Sequence, residues 1–262
     1  MTGSQRSAVR MMSRGFTLIE MAVVLMIVGL LLGGLLPTIS AQIQQQRVNE
    51  TLKQLSEIQQ ALIGFTVING RLPCPATSTS NGVESPSTGG NCTSFSNGSF
   101  VGFVPAATLG LPQTDSQGYA IDSWGNRIRY AVASVTATVS GFNGGASFNV
   151  FTFPNGMSAV GISSLSPNLF VCSTATGIGG SSCSAAPSLT PNGVPAVILS
   201  TGNDGVAGAV GSDETANLDN NKTFVNHVPA PSSATNGTFD DLVTWMSPNT
   251  LLNRMVAAGK LP

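Results

Sequence analysis

The chain has 262 residues, of which only 9% are charged, and its formal net charge is −1. A typical globular protein is ~25% charged, so this one presents an unusually neutral surface rich in Gly, Ser, Thr and Asn. After Leu72 there are five basic and nine acidic residues, a net of about −4, with no Lys/Arg cluster to neutralise phosphates, which argues against nucleic-acid binding. In chain order, the first segment carries Arg6, Arg10 and Arg14 with no acid. Such a leader stays on the cytoplasmic side and sends the chain that follows outward. An apolar run comes next. From Met21 to Leu36 no side chain is polar, and Phe16 to Leu36 as a helix spans about 31 Å, close to a bilayer's hydrocarbon core. Glu20 sits inside the start of that run, where an ionised carboxylate costs at least ~2.5 kcal/mol by insertion scales and so needs a partner or marks a function.

Gly15, followed by Phe16-Thr17-Leu18-Ile19-Glu20 directly before an apolar span, resembles the prepilin motif of type IV pilins and type II secretion pseudopilins. The resemblance implies cleavage after Gly15 by prepilin peptidase and N-methylation of the new terminus at Phe16. It further implies insertion through an inner-membrane assembly platform into a filament of other pilin or pseudopilin subunits. The physics fits that scheme: the Phe16 ammonium of one subunit would neutralise Glu20 of its neighbour in low dielectric, so a misregistered subunit would leave two charges unmatched. Gly29 and Pro37 stand where pilins resembling this chain carry a Gly and a Pro. Pro lacks an N–H and clashes with the preceding turn, so a kink or loosened helix is expected there.

Beyond Pro37, Val48, Leu52, Leu55, Ile58, Leu62 and Phe65 recur at spacings of three and four, which predicts an amphipathic helix needing a sheet to cover its apolar side. The expected organisation is a leader at 1–15, an N-terminal helix at 16–66 and a globular head at 67–262. Within the helix, 16–39 forms the membrane or filament-core part and 40–66 the spine. The head's short apolar runs between Gly, Pro and Asn predict strands and long loops, hence an α+β fold of mainly antiparallel sheet with the long helix packed on it, as in type IV pilins.

Cys74, Cys92, Cys172 and Cys183 all lie on the side assigned to an oxidising exterior. Their grouping into two sequence-local couples favours Cys74–Cys92 and Cys172–Cys183 among the three connectivities that four cysteines allow. No Cys-x-x-Cys pair is present, and the sole imidazole, His227, is remote from either couple in sequence, which disfavours zinc.

Asp122-Ser123-Trp124-Gly125-Asn126 reads as a turn leading into a strand, with Trp124 as its expected anchor on the core. It resembles the Asp-Pro-Trp-Gly-Asn hairpin of type II secretion major pseudopilins, with Ser123 in place of Pro. Pro195 to Ser200 is a strand candidate leading into Thr201-Gly202-Asn203-Asp204-Gly205, which resembles the calcium-binding loop of the same proteins. That resemblance implies a calcium site at Ser200, Asp204, Asp240 and Asp241, although residues 206–238 intervene as a much longer loop with acids of its own, Asp213, Glu214 and Asp219. The alternative is that Asp204-Gly205 marks a turn and that Asp240 and Asp241 cap a C-terminal helix.

Two other classes of function compete. A membrane-tethered hydrolase lacks a Gly-x-Ser-x-Gly elbow and has only His227 as base, read here as a solvated loop residue. A surface adhesin would use exposed members of the set Phe95, Phe100, Phe103, Phe142, Phe148, Phe151 and Phe153. The motif favours a structural subunit, a minor pilin or pseudopilin, resident in the inner membrane with its head in the periplasm and later part of a periplasmic or extracellular filament.

Overall fold

The computed structural model describes residue 15 and residues 17–92 and 100–261, the side chains of 32–39 excepted. Helix α1, Leu18–Asn69, takes up 52 residues rich in Leu and Gln, both good helix formers. It ends where Gly70 adopts φ 68° and donates its N–H to the Thr66 carbonyl at 2.8 Å, a left-handed stop that a Cβ would penalise. α1 runs through Gly29 and Pro37 without a break in its helical assignment, so the expected loosening at Pro37 does not interrupt it. The chain divides into two compact units, 1–46 and 47–262.

The described part of the first unit is helix from Leu18 onward. Its apolar side chains project outward, with Leu18 at 89% and Leu30 at 75% exposure. Among the described residues, no helix is long and apolar enough to cross a membrane; the side chains of 32–39, which would extend the apolar run, lie outside the described set.

In the second unit the remainder of α1 lies on an antiparallel sheet of four strands in the order β1 (Phe100–Phe103), β2 (Arg129–Val132), β6 (Ala196–Ser200), β8 (Leu242–Met246). Smaller pairings are β3 (Thr136–Ala137) with β4 (Phe148–Asn149), antiparallel, and β5 (Phe170–Cys172) with β7 (Thr223–Val225), parallel. Short helices α2 (Ala106–Leu109), α3 (Gly156–Val160), α4 (Gly205–Gly208) and α5 (Ser212–Leu218) lie between the strands, and α6 (Pro248–Ala257) follows the last of them. The architecture is α+β, as the hydrophobic pattern predicts. Every residue of β6, Ala-Val-Ile-Leu-Ser, is buried, as a strand with neighbours on both edges and cover on both faces requires.

The buried seam of α1 is Thr51–Leu55–Ile58–Leu62–Thr66 rather than the stripe expected from apolarity alone. Leu52 is 46% exposed, and Val48 and Phe65 are only half-buried. Two threonines stand at the ends of this seam: the Thr51 hydroxyl accepts the Ser123 N–H at 3.3 Å, and the Thr66 hydroxyl disposes of its polarity by bonding the Leu62 carbonyl at 2.6 Å. Leu55, Ile58 and Leu62 share one core with Tyr130, Ile198 and Met246, and each such side chain removed from water contributes about 1.5–3 kcal/mol. Gln59 fixes the lateral position by donating to the Trp245 carbonyl at 2.9 Å.

Both couples of cysteines are joined: Cys74–Cys92 with Cα atoms 5.4 Å apart, and Cys172–Cys183 at 5.6 Å. Beside the first bridge, Arg71 grips Glu84 through two bonds of 2.7 and 2.8 Å, and Glu84 also accepts the Cys74 N–H at 3.0 Å. This buried pair locks the exit from α1 to the loop that follows it. Asp240 and Asp241 precede a strand, β8, and not a helix; the C-terminal helix α6 starts at Pro248, whose fixed φ suits a first-turn position.

Candidate functional site

The first site is the tip of α1. Thr17 donates its N–H and its hydroxyl to Glu20 Oε2, at 2.9 and 2.8 Å, and its Oγ1 accepts the Glu20 N–H at 3.3 Å. This reciprocal arrangement is a capping box: Thr and Glu three residues apart satisfy amides that the first helical turn leaves without partners. Glu20 is thus held locally, on a surface otherwise made of exposed Leu18, Ile19, Met21 and Val23. Nothing lies within 4 Å of the position a Gly29 Cβ would take. Gly15 is described and exposed; Phe16 lies outside the described residues.

The second site is in the head, between the ends of β6 and β8. Asp204, Glu214 and Asp240 each place a carboxylate oxygen within 4.8 Å of the other two. Two of the three spend one oxygen on the backbone. Asp240 Oδ2 accepts the N–H groups of Asn203 and Asp204 at 2.9 and 3.3 Å, and Glu214 Oε1 accepts the Asp240 N–H at 2.9 Å. The other oxygens, Asp204 Oδ1, Glu214 Oε2 and Asp240 Oδ1, are shut off from solvent and have no hydrogen-bond partner. Gly202 makes this closeness possible. At φ 63° it turns the chain so tightly that a Cβ there would fall 2.1 Å from Asp240 Oδ1.

The electrostatics follow from the crowding. Burial, then the charge of Asp240, pushes the Asp204 carboxyl up from its ordinary value. Burial likewise raises Glu214, with the charges of Asp204 and Asp240 adding to it. Asp241 is pushed up to about 7, mainly by burial, while the bond from Asn217 opposes the rise and the three neighbouring acids reinforce it. Hard oxygens without nitrogen or sulfur suit calcium or magnesium and not zinc.

Of the four residues assigned from sequence to a metal, the structure brings together Asp204 and Asp240 alone. The Ser200 hydroxyl instead donates to Asp122 Oδ2 at 2.6 Å. That bond ties β6 to the 122–126 turn, whose other Asp122 oxygen accepts the N–H groups of Trp124 and Asn126 at 2.9 and 2.8 Å. Buried Asp122, and not half-buried Trp124, is therefore the anchor of this turn. Asp241 points to Asn217 Nδ2, 2.7 Å away, on the side where its charge faces Arg129. Glu214 takes the vacated place. Its signal in the sequence is the acid pair Asp213-Glu214 following Gly211, a helix start, but nothing local tells which of the two turns inward.

Asp213 has a separate task. His227 Nε2 lies 3.0 Å from Asp213 Oδ2, its Nδ1 lies 2.7 Å from the Val228 carbonyl oxygen, and its ring stacks on Phe239 at 3.9 Å. His227 is thus a clamp within the long loop rather than the solvated residue its context suggests. Both ring nitrogens face acceptors, and neither addresses a hydroxyl, so the arrangement does not have the form of a serine hydrolase triad.

No curated protein and no solved structure matches the chain. Over residues 10–36 the chain carries the prokaryotic N-terminal methylation motif, the signature of type IV pilins and pseudopilins.

Proposed function

We propose that the chain is a structural subunit, a minor pilin or pseudopilin, of a type IV pilus or type II secretion-like filament. Prepilin peptidase cleaves it between Gly15 and Phe16, Phe16 is N-methylated, and the subunit waits in the inner membrane with its head in the periplasm. From there it joins other subunits through its N-terminal helix and the assembly platform. The carrying observation is Glu20: an acid on an exposed apolar helix, inside the methylation motif, satisfied meanwhile by Thr17. That local bond leaves the charge in place for the Phe16 ammonium of a neighbour, while Gly29 and Pro37 sit where close packing or local melting would serve assembly. The long, loop-rich head favours a minor or tip-proximal position, where fewer neighbours crowd it. The test is Glu20→Ala in cells making filaments: cleavage at Gly15 stays intact while recovery of the subunit in the sheared filament fraction falls at least ~10-fold. Wild-type recovery of the variant refutes the role of Glu20, and a mature chain that does not start at Phe16 refutes the whole reading.

A second proposal concerns the head, which binds one hard divalent cation, calcium, through Asp204 and Asp240. The supporting observation is that each holds a buried carboxylate oxygen without a partner. A cation supplies there what the protein lacks, positive charge at the junction of two sheet strands. Calcium titration calorimetry on the chain decides it, with absence of binding and an unchanged melting temperature in chelator as the refuting result.

A further inference from the structure

The 41 residues between β6 and β8 form a lobe of their own that is thinly cored. The β7 strand pairs with β5, α5 packs on β7, and the buried apolar side chains beneath are Ala216, Val225 and Phe239, while Phe224 of β7 reaches into the main core. Polar latches do much of the remaining work. Asp213 accepts from Asn236 and His227, and Asn217 spans Val225 by accepting its N–H at 2.7 Å and donating to its carbonyl at 3.1 Å. Both of these latches are complete. Glu214, on the same helix, is the exception: it is 0% exposed, it spends Oε1 on the Asp240 N–H, and its Oε2 is buried with nothing to bond.

That loose end points at the other two. Asp204 lies just past the end of β6 and Asp240 just before the start of β8, so the three acids belong to three structural pieces: a central strand, its neighbour and the lobe helix. Like charges gathered out of water repel, and in such a place an acid that faces two others adds repulsion unless a cation binds all three. We infer that Glu214 is a third ligand of the head's cation site, and that the bound ion fastens the α5–β7 lobe to the β6 and β8 ends of the sheet. This inference rests on the calcium reading of Asp204 and Asp240 and adds to it a ligand from the long loop and a mechanical role. The ion acts as a crosslink: opening the lobe withdraws one of three carboxylates and so requires weakening or releasing the ion.

The experiment uses the full chain in detergent micelles, calcium chloride as the probe, and two readouts: calorimetric titration, and hydrogen exchange of residues 212–225 in calcium and in chelator. One ion is expected to bind wild type, and calcium at ten times its Kd slows exchange in 212–225 by about tenfold. Glu214→Gln is expected to lower affinity at least ~10-fold, whereas Asp219→Asn, in the same segment but outside the cluster, leaves it unchanged. If wild type binds one ion and Glu214→Gln binds it as tightly, Glu214 is not a ligand and the inference falls while the calcium reading stands. If wild type binds no ion, both fall. Should Glu214→Gln fail to fold, exchange in wild type decides: equal rates in calcium and chelator overturn the crosslink.

Discussion

Two of the places where the head gathers charge are finished differently. Arg71 and Glu84, with side chains 8% and 3% exposed, neutralise each other through two short bonds and leave Glu84 capacity for the Cys74 N–H. Asp204, Glu214 and Asp240 bring three negative groups together with no cationic side chain bonded to any of them among the described residues. A buried charge is tolerated only when its field is answered nearby. Where the answer comes from the chain itself, the pair is a structural fastening; where it does not, the gap describes the partner. Glu20 differs from both: it is exposed, with its hydrogen-bonding need met by Thr17.

Breaking the finished pair gives the largest effect. Glu84→Ala strands a buried guanidinium and is expected to cost about 3–5 kcal/mol of stability, measured by urea unfolding with the disulfides intact. A loss under ~1 kcal/mol would mean that Arg71 reaches water in the variant and that the pair is no fastening. Answering the unfinished cluster comes next: calcium at a hundred times its Kd is expected to stabilise the head by about 2.7 kcal/mol relative to chelator, seen as a higher melting temperature.

The smallest effect sharpens the contrast by moving to the surface. Burial alone would raise the Asp115 carboxyl, but the Tyr119 N–H, the Arg127 guanidinium and the Gln117 N–H together hold it below its ordinary value. A depressed carboxyl contributes stability that is present above its unfolded value, near 3.9, and lost as pH falls through the lower folded one. Arg127→Gln is therefore expected to flatten the acid limb of the stability profile below about pH 4, by less than ~1 kcal/mol because the pair is part-exposed. An acid limb unchanged within error would show that the backbone amides alone hold Asp115.

Much of this was legible in the residues. Helix α1, the strand at 196–200, the turn at 122–126 and the two cysteine couples all follow from local pattern, because hydrophobic period, turn chemistry and short loop closure act over a few residues. The seam of α1 was less so. Leu52 and Leu55 are alike in sequence, and only contacts with distant segments, such as the Ser123 N–H that Thr51 accepts, decide that Thr51 and Thr66 face inward while Leu52 looks out. The acid site was half legible: Asp204 and Asp240 carry turn and strand-edge signals, but Ser200 and Asp241 are drawn off by Asp122 and Asn217, partners far away in sequence.

By itself the sequence determined the tip of the molecule. Gly15 through Glu20 and the apolar run after them set the methylation motif, and the Thr17–Glu20 capping box closes within one helical turn, so no distant contact is needed to specify it. Tertiary structure decided the head's chemistry. Which acids meet depends on where α5 packs against β7 and how tightly Gly202 lets the chain turn. Those are consequences of burying a shared core, whose geometry no short stretch of residues contains.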